Sequence, residues 1–194
     1  RMIAEGRDDA ALALAARRGE DRAFTELMRR HKGPLYRFIR ANLGDAHEAH
    51  DVLQDAFVAA WAGLASYDAK RPFATWLRRI ALNKCRDWAR KRRVRQFFFG
   101  AASLDDPGAR AVRQSEPEAN DLEPRLARLE TAIAALPSGL KEPLILTALD
   151  GLSHAEAGAL LGLSAKAVEV RVYRARKALE ASGASAPDTD SSKI

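Results

Sequence analysis

The sequence predicts an all-α protein built as two small helical domains joined by a flexible linker. Three observations carry that expectation. Apolar residues recur at spacings of three and four, and no stretch alternates like a β-strand. Residues 96–122 lose this periodicity and gather Gly100, Pro107, Gly108, Pro117 and several acidic side chains. Start and stop signals then bracket two short helices near the C-terminus. The expected units are a helical domain over 8–95, a linker over 96–122 and a second helical domain over 123–182. A tail over 183–194, rich in Gly, Ser, Ala, Pro and Asp, cannot bury a core and is expected to be disordered.

Composition narrows the function classes. With 194 residues, 47% of them apolar, the chain can fill one ordinary core or two small ones. Thirty-two Lys and Arg against 26 Asp and Glu give a net charge of +6, which favours a polyanionic partner such as nucleic acid or an acidic membrane surface. The one cysteine, Cys85, permits neither an internal disulfide nor a Cys-based zinc site. His47 and His50 could share a helical face, a metal site there being the minor alternative, and no metal or cofactor is expected. No run approaches the roughly 20 apolar residues of a membrane-spanning helix, and the N-terminal stretch lacks the apolar core of a signal peptide. The expected location is cytoplasmic, without membrane insertion. No phosphate loop, nucleophile–base set or metal cluster is visible, which argues against an enzyme.

In the first domain, long Ala-, Leu- and Arg-rich helices are expected to break at Gly33-Pro34, near Gly44-Asp45, and over Ser66 to Pro72. Asp45, Glu48, Asp51 and Asp55 fall within an eleven-residue stretch without Lys or Arg. On a helix Glu48, Asp51 and Asp55 are neighbours, with Gln54 adjacent, while Val52, Leu53, Ala56, Phe57 and Trp61 form the packing side. An acidic face repels DNA and suits a protein partner, unless it is merely solvated.

Charge then reverses. Between Arg71 and Arg95 there are ten basic residues and one acidic, Asp87. A helix from about Phe73 sets Trp76, Arg79, Asn83, Arg86 and Arg90 on one face. Leu77, Ala81 and Trp88 fall on the other, so that Trp76 faces a partner and Trp88 the core. Cations, an amide and an aromatic ring on one face suit nucleic acid with unstacked bases; the alternative is a solvated basic helix with Trp76 half-buried. The polar loop just before it, with Tyr67, Lys70 and Arg71, suits an extruded base or simply connects two helices.

In the second domain Leu122, Leu126, Leu129, Ile133 and Leu136 mark a helix that Pro137-Ser138-Gly139 ends. Ser153-His154-Ala155-Glu156 reads as a capping box, in which hydroxyl and carboxylate each satisfy a free backbone amide. The helix it starts runs to Leu161, Gly162 supplies a left-handed turn, and Ser164 caps a second helix reaching about Ala181. This is a helix-turn-helix pattern, with an ordinary helical hairpin as the alternative. Val168, Val172, Ala175 and Leu179 form its buried stripe. Lys166, Glu169, Val170, Tyr173, Arg174 and Lys177 lie opposite, with Arg171 on the flank. Arg pairs with guanine, Glu accepts from cytosine and a valine methyl meets a thymine methyl in a major groove.

Taken together, the segments resemble the sigma factors of bacterial RNA polymerase. Ala49 to Phe57 (AHDVLQDAF) is similar to the acidic polymerase-binding motif of region 2.2. Phe73 to Arg90 (FATWLRRIALNKCRDWAR) resembles regions 2.3 and 2.4, and Leu152 to Leu179 resembles region 4.2. Two domains and a short linker place the resemblance in the extracytoplasmic-function group. It implies that Asp51, Gln54 and Asp55, with Glu48, dock on the clamp helices of the largest polymerase subunit, and that the second domain meets the β flap. Trp76, Asn83 and Arg86, with Lys70, Arg71, Arg79 and Arg90, would engage the minus-10 element, the Tyr67 to Pro72 loop taking a flipped base. Lys166, Glu169, Val170, Arg171, Tyr173, Arg174 and Lys177 would read the minus-35 element. The implied partners are core polymerase, promoter DNA and an anti-sigma factor that restrains the protein until a stress or envelope signal.

Where the family pattern commonly runs Gly-Thr-Val-Lys or Arg-Ser-Arg, this chain has Lys166-Ala167-Val168-Glu169-Val170-Arg171, so its minus-35 preference is expected to differ. Two other readings compete. A helix-turn-helix regulator that never binds polymerase leaves the acidic motif and the basic helix without a role. A sigma-like decoy for an anti-sigma factor has no need of Trp76, Asn83, Arg86 and Arg174.

Overall fold

The computed structural model of the chain describes residues 8–100 and 122–183, and every regular element among them is helical. Four helices form the first half: α1 (Asp9–Arg17), α2 (Asp21–Leu43), α3 (Ala46–Gly63) and α4 (Phe73–Gly100), with a 3-10 turn over Leu64–Ser66. Asp8 caps α1 by accepting from the Ala11 amide, and Asp45 caps α3 by accepting from the Glu48 amide. Gly44 ends α2 in the left-handed conformation at φ 76°.

The break expected at Gly33-Pro34 does not occur, and α2 runs straight through it. Proline inside a helix costs roughly 3 kcal/mol. Phe24, Leu27, Leu35, Phe38 and Ile39 are all buried along this helix, and each large apolar side chain removed from water returns roughly 1.5–3 kcal/mol. Packing on both sides of the proline therefore overrides its local penalty. The helix α4 likewise continues to Gly100, past the expected start of the linker at residue 96. The remainder of that expected linker, from 101 to 121, and the tail from 184 lie outside the described residues.

The second half comprises α5 (Leu122–Ala135), α6 (Ser138–Leu144), α7 (His154–Leu161) and α8 (Ala165–Ala181). A wide π turn over Ile145–Leu149 extends α6 to Asp150, a helical stretch the sequence reading left without assignment. Its helix-turn-helix follows the sequence closely. Ser153 and Glu156 form the capping box, Gly162 takes φ 72°, and Ser164 accepts from the Ala167 amide. The stripe of Val168, Val172, Ala175 and Leu179 is buried against Leu144, Ile145 and Leu146 in a core continuous with that of the first half. The two halves pack on each other, α2 against α5 and the π turn.

Candidate nucleic-acid interface

On α3 the apolar side chains Val52, Leu53, Ala56 and Phe57 are buried, which turns Asp51, Gln54 and Asp55 outward on one exposed face. Two residues depart from the expected division. Glu48 is half-buried and accepts a hydrogen bond from the Trp88 indole N–H, so it ties α3 to α4. Trp61, expected on the packing side, keeps 42% of its surface exposed while its ring meets Phe24 edge-on at 4.9 Å.

The basic helix α4 presents Arg79, Asn83, Arg86 and Arg90 on one exposed face, as its periodicity requires, and buries Leu77 and Ala81 opposite. The two tryptophans do not divide into one outward and one inward. Trp76 is half-buried against Tyr67 and Phe73, at ring separations of 5.2 and 5.4 Å. Trp88 is also half-buried, between Glu48 and the Arg92 guanidinium, which lies 5.2 Å from its ring centroid. An indole carries enough apolar surface to favour partial burial on either side of a helix.

The loop before α4 corrects a further expectation. Tyr67 does not stand free to hold a base: it is 5% exposed, and its hydroxyl donates to the Arg71 carbonyl at 2.8 Å, closing the loop from inside. Burial, with the nearby acids Asp9, Asp8 and Asp68, raises the pKa of that hydroxyl. The Asp68 carboxylate accepts from the Lys70 amide at 3.0 Å and fixes the turn, leaving the Lys70 and Arg71 side chains exposed.

On α8 the exposed face is the one expected: Lys166, Glu169, Val170, Tyr173, Arg174 and Lys177, with Arg171 half-buried beside them. Tyr173 is 61% exposed. Lys166 donates to Glu169 at 2.9 Å, and this hydrogen bond holds the Glu169 carboxyl below its ordinary range, keeping it an acceptor. Arg171 reaches toward the Gly139 carbonyl at 3.5 Å, and Lys177 pairs with Glu180 at 2.9 Å. A groove of about 820 Å³ runs beside this face, lined by Leu152, His154, Glu169, Val170, Tyr173 and Arg176.

Sequence reasoning missed a set of contacts that link this surface to the second half. Arg86 grips Glu142 with two prongs, Nε to Oε1 at 2.9 Å and an η nitrogen to Oε2 at 2.6 Å. Arg78 donates to Asp150 at 2.6 Å, and an Arg79 guanidinium N–H approaches the Ala159 carbonyl at 3.5 Å. Burial pushes the Asp150 carboxyl above its usual range, with Arg78 pulling the other way. Also unforeseen were Phe97 and Phe98, largely exposed beyond the last arginine of α4; the aromatic run after Gln96 was their signal.

Comparison with known proteins bears on both halves. Residues 27–95 match Sigma-70 region 2, and residues 126–179 match Sigma-70, region 4. The chain is 46% identical over 179 residues to RNA polymerase sigma factor CnrH of Cupriavidus metallidurans, covering 89% of this chain and 93% of that one. It is 30% identical over 169 residues to the ECF RNA polymerase sigma factor SigW of Bacillus subtilis, covering 84% and 90%. A solved structure of CnrH in complex with the cytosolic domain of CnrY superposes with a TM-score of 0.65 at 37% identity, over 89% of this chain and 95% of that one.

Proposed function

The chain belongs to the sigma-70 family, in its extracytoplasmic-function group, and from that membership we propose how its surfaces share the work. It is an RNA polymerase sigma factor, directing core polymerase to promoters. The exposed Asp51, Gln54 and Asp55 on α3 dock on the clamp helices of the largest subunit, and the second half meets the β flap. Lys70, Arg71, Arg79, Asn83, Arg86 and Arg90 face the minus-10 element, with Trp76 supplying an aromatic edge, and Tyr67 acts by bracing their loop. The exposed face of α8 reads the minus-35 element, Arg174 and Glu169 at base edges and Arg171 and Lys177 toward phosphates. The protein contributes no bond chemistry: by capturing unpaired bases it biases the duplex toward its melted form. An anti-sigma factor restrains it, as CnrY is bound by CnrH, and it acts where polymerase is, in the cytoplasm. Among the described residues no helix is long and apolar enough to cross a membrane.

One observation supports this division above the others. An acidic exposed face and a basic exposed face stand on adjacent helices of one small unit, α3 and α4, ahead of a capped helix-turn-helix. Surfaces of opposite charge select different partners. Run-off transcription with the purified chain and core polymerase tests the reading. Promoter-specific initiation is expected, and silence on every genomic promoter offered sinks it. Asp51→Arg is expected to weaken core binding alone, and Arg174→Ala promoter binding alone. If both lowered the same affinity, the division of surfaces would be wrong.

A further inference from the structure

Phe97 and Phe98, near the end of α4, are 77% and 69% exposed, and Val94, one turn earlier, is 49% exposed. The two rings meet edge-on at 5.7 Å. A single exposed apolar residue is ordinary, whereas a cluster of three at one helix end marks a contact surface. Its surroundings are cationic. Arg90, Lys91, Arg92, Arg93 and Arg95 are all exposed just before the rings, and no carboxylate follows Asp87 on the helix. Register ties this cluster to the rest of α4. Phe97 falls seven positions after Arg90, eleven after Arg86 and eighteen after Arg79, close to two, three and five full turns at 3.6 residues per turn. It therefore continues the stripe of Arg79, Asn83, Arg86 and Arg90, roughly 16 Å beyond Arg86 at 1.5 Å per residue.

We propose that Phe97 and Phe98 form a stacking platform for unpaired DNA bases, carrying the single-strand path of α4 beyond the minus-10 contacts. The inference rests on the assignment of the α4 face to nucleic acid and adds a second subsite to it. Three features select this occupant. A base in a closed duplex hides both faces in the stack, so a phenyl ring finds a flat partner only on an unpaired strand. Guanidinium and ammonium groups beside the rings suit the phosphates that flank such a base. A helix lying on a membrane segregates its apolar and cationic residues on opposite faces, whereas Phe97 shares its side of α4 with Arg90 and Arg93, and Phe98 shares its side with Lys91 and Arg95. A second copy of the chain would bring the same cations together, and like charges oppose that contact. Phenylalanine carries no hydrogen-bonding group, so the platform strengthens the hold on an open strand without reading its sequence.

The test uses the full chain, Phe97→Leu/Phe98→Leu, which removes the rings, and Phe97→Tyr/Phe98→Tyr, which keeps them. Both positions are exposed, and thermal unfolding of each variant is expected to match the parent's. Affinity is measured for a short mixed-sequence single-stranded DNA, for the same backbone made abasic, and for the closed duplex. An internal 2-aminopurine, whose emission falls on stacking, reads ring contact directly. The leucine variant is expected to bind the base-bearing strand about fivefold or more weakly than the parent and to lose the quenching, with abasic and duplex affinities unchanged. The tyrosine variant is expected to restore both. No charge is altered, so the dependence of strand affinity on salt is expected to keep its slope. Equal binding of the base-bearing strand by parent and leucine variant, an equal loss on the abasic strand, or no strand binding by the parent overturns the platform. So does ring-dependent binding to vesicles of phosphatidylcholine and phosphatidylglycerol with strand binding intact, which assigns the rings to an acidic lipid surface. An RNA of the same sequence bound more tightly than the DNA, with the same need for the rings, overturns the DNA assignment. Arg79→Ala/Arg90→Ala separates the two levels. Undiminished strand binding there refutes α4 as a nucleic-acid face, while a loss there without a loss in the leucine variant removes the platform alone.

Discussion

Replacing Glu169 by Gln tests the least conventional position on the α8 face proposed to read the minus-35 element. The side chain is exposed on α8, its one described partner is Lys166 at 2.9 Å, and the pair is open to solvent at 51% and 76%. Exposed ion pairs of this kind are worth about 0–1 kcal/mol, so Glu169→Gln is expected to leave folding nearly unchanged. Its effect on recognition is larger and different in kind. The ionised carboxylate only accepts hydrogen bonds and therefore selects cytosine, whereas an amide both donates and accepts and pairs with adenine. A well-made contact of this kind discriminates by about 1–3 kcal/mol, or roughly 5- to 150-fold. Holoenzyme selection from promoters randomised over the minus-35 element, for both proteins, gives the answer directly. A cytosine-to-adenine shift at one position, with thermal unfolding unchanged, is the expected result. An identical preference for both proteins would refute the placement of Glu169 at a base edge.

Acid should loosen the first half through identifiable carboxylates. Hydrogen bonds from Arg29 and then Arg30 hold the Glu26 carboxyl down at about 2 against an ordinary value of 4.5, and backbone hydrogen bonding lowers Asp45. A depressed folded pKa gives stability that is present above the unfolded value and lost as pH falls through the folded one. Urea midpoints are therefore expected to drop between pH 4.5 and about 2, and Glu26→Gln to flatten that decline; an unchanged slope in the variant contradicts the assignment. Gly44→Ala is expected to strain the contact between the two halves as well as the turn. A side chain there needs φ +76°, and its Cβ would stand 2.5 Å from that of Ala134. Faster labelling of the buried Cys85 by a thiol reagent, together with a lowered melting temperature, is the predicted signature, and slow labelling with only the lowered temperature would confine the effect to the turn.

The helix-turn-helix was legible residue by residue because its signals are local. Ser153, Glu156, Gly162 and Ser164 each act on backbone groups within three or four positions, and spacing alone reveals such contacts. The exposed faces of α3, α4 and α8 followed from periodicity for the same reason. What escaped depends on distant packing. The passage of α2 through Pro34 is decided by apolar neighbours on other helices, and the burial of Tyr67 by ring contacts with Phe73 and Trp76. Arg86 and Glu142 are 56 positions apart, and Arg78 and Asp150 are 72 apart. No periodicity connects them, so an arginine set aside for DNA gave no sign of an internal partner.

The pairing of Arg86 with Glu142 also alters what ionic strength does to this molecule. Added salt weakens attachment to a polyanion, and the same ions screen a cation from its internal carboxylate, most easily where the guanidinium is 46% open to water. In the free chain the two effects oppose each other wherever Arg86 is an attaching cation, because the salt that discourages a polyanion also releases this guanidinium. The folded chain is therefore partly buffered against changes in ionic strength. With Glu142 replaced by Gln that compensation is expected to vanish, and attachment to a polyanion to fall with salt at the full slope set by its phosphate contacts.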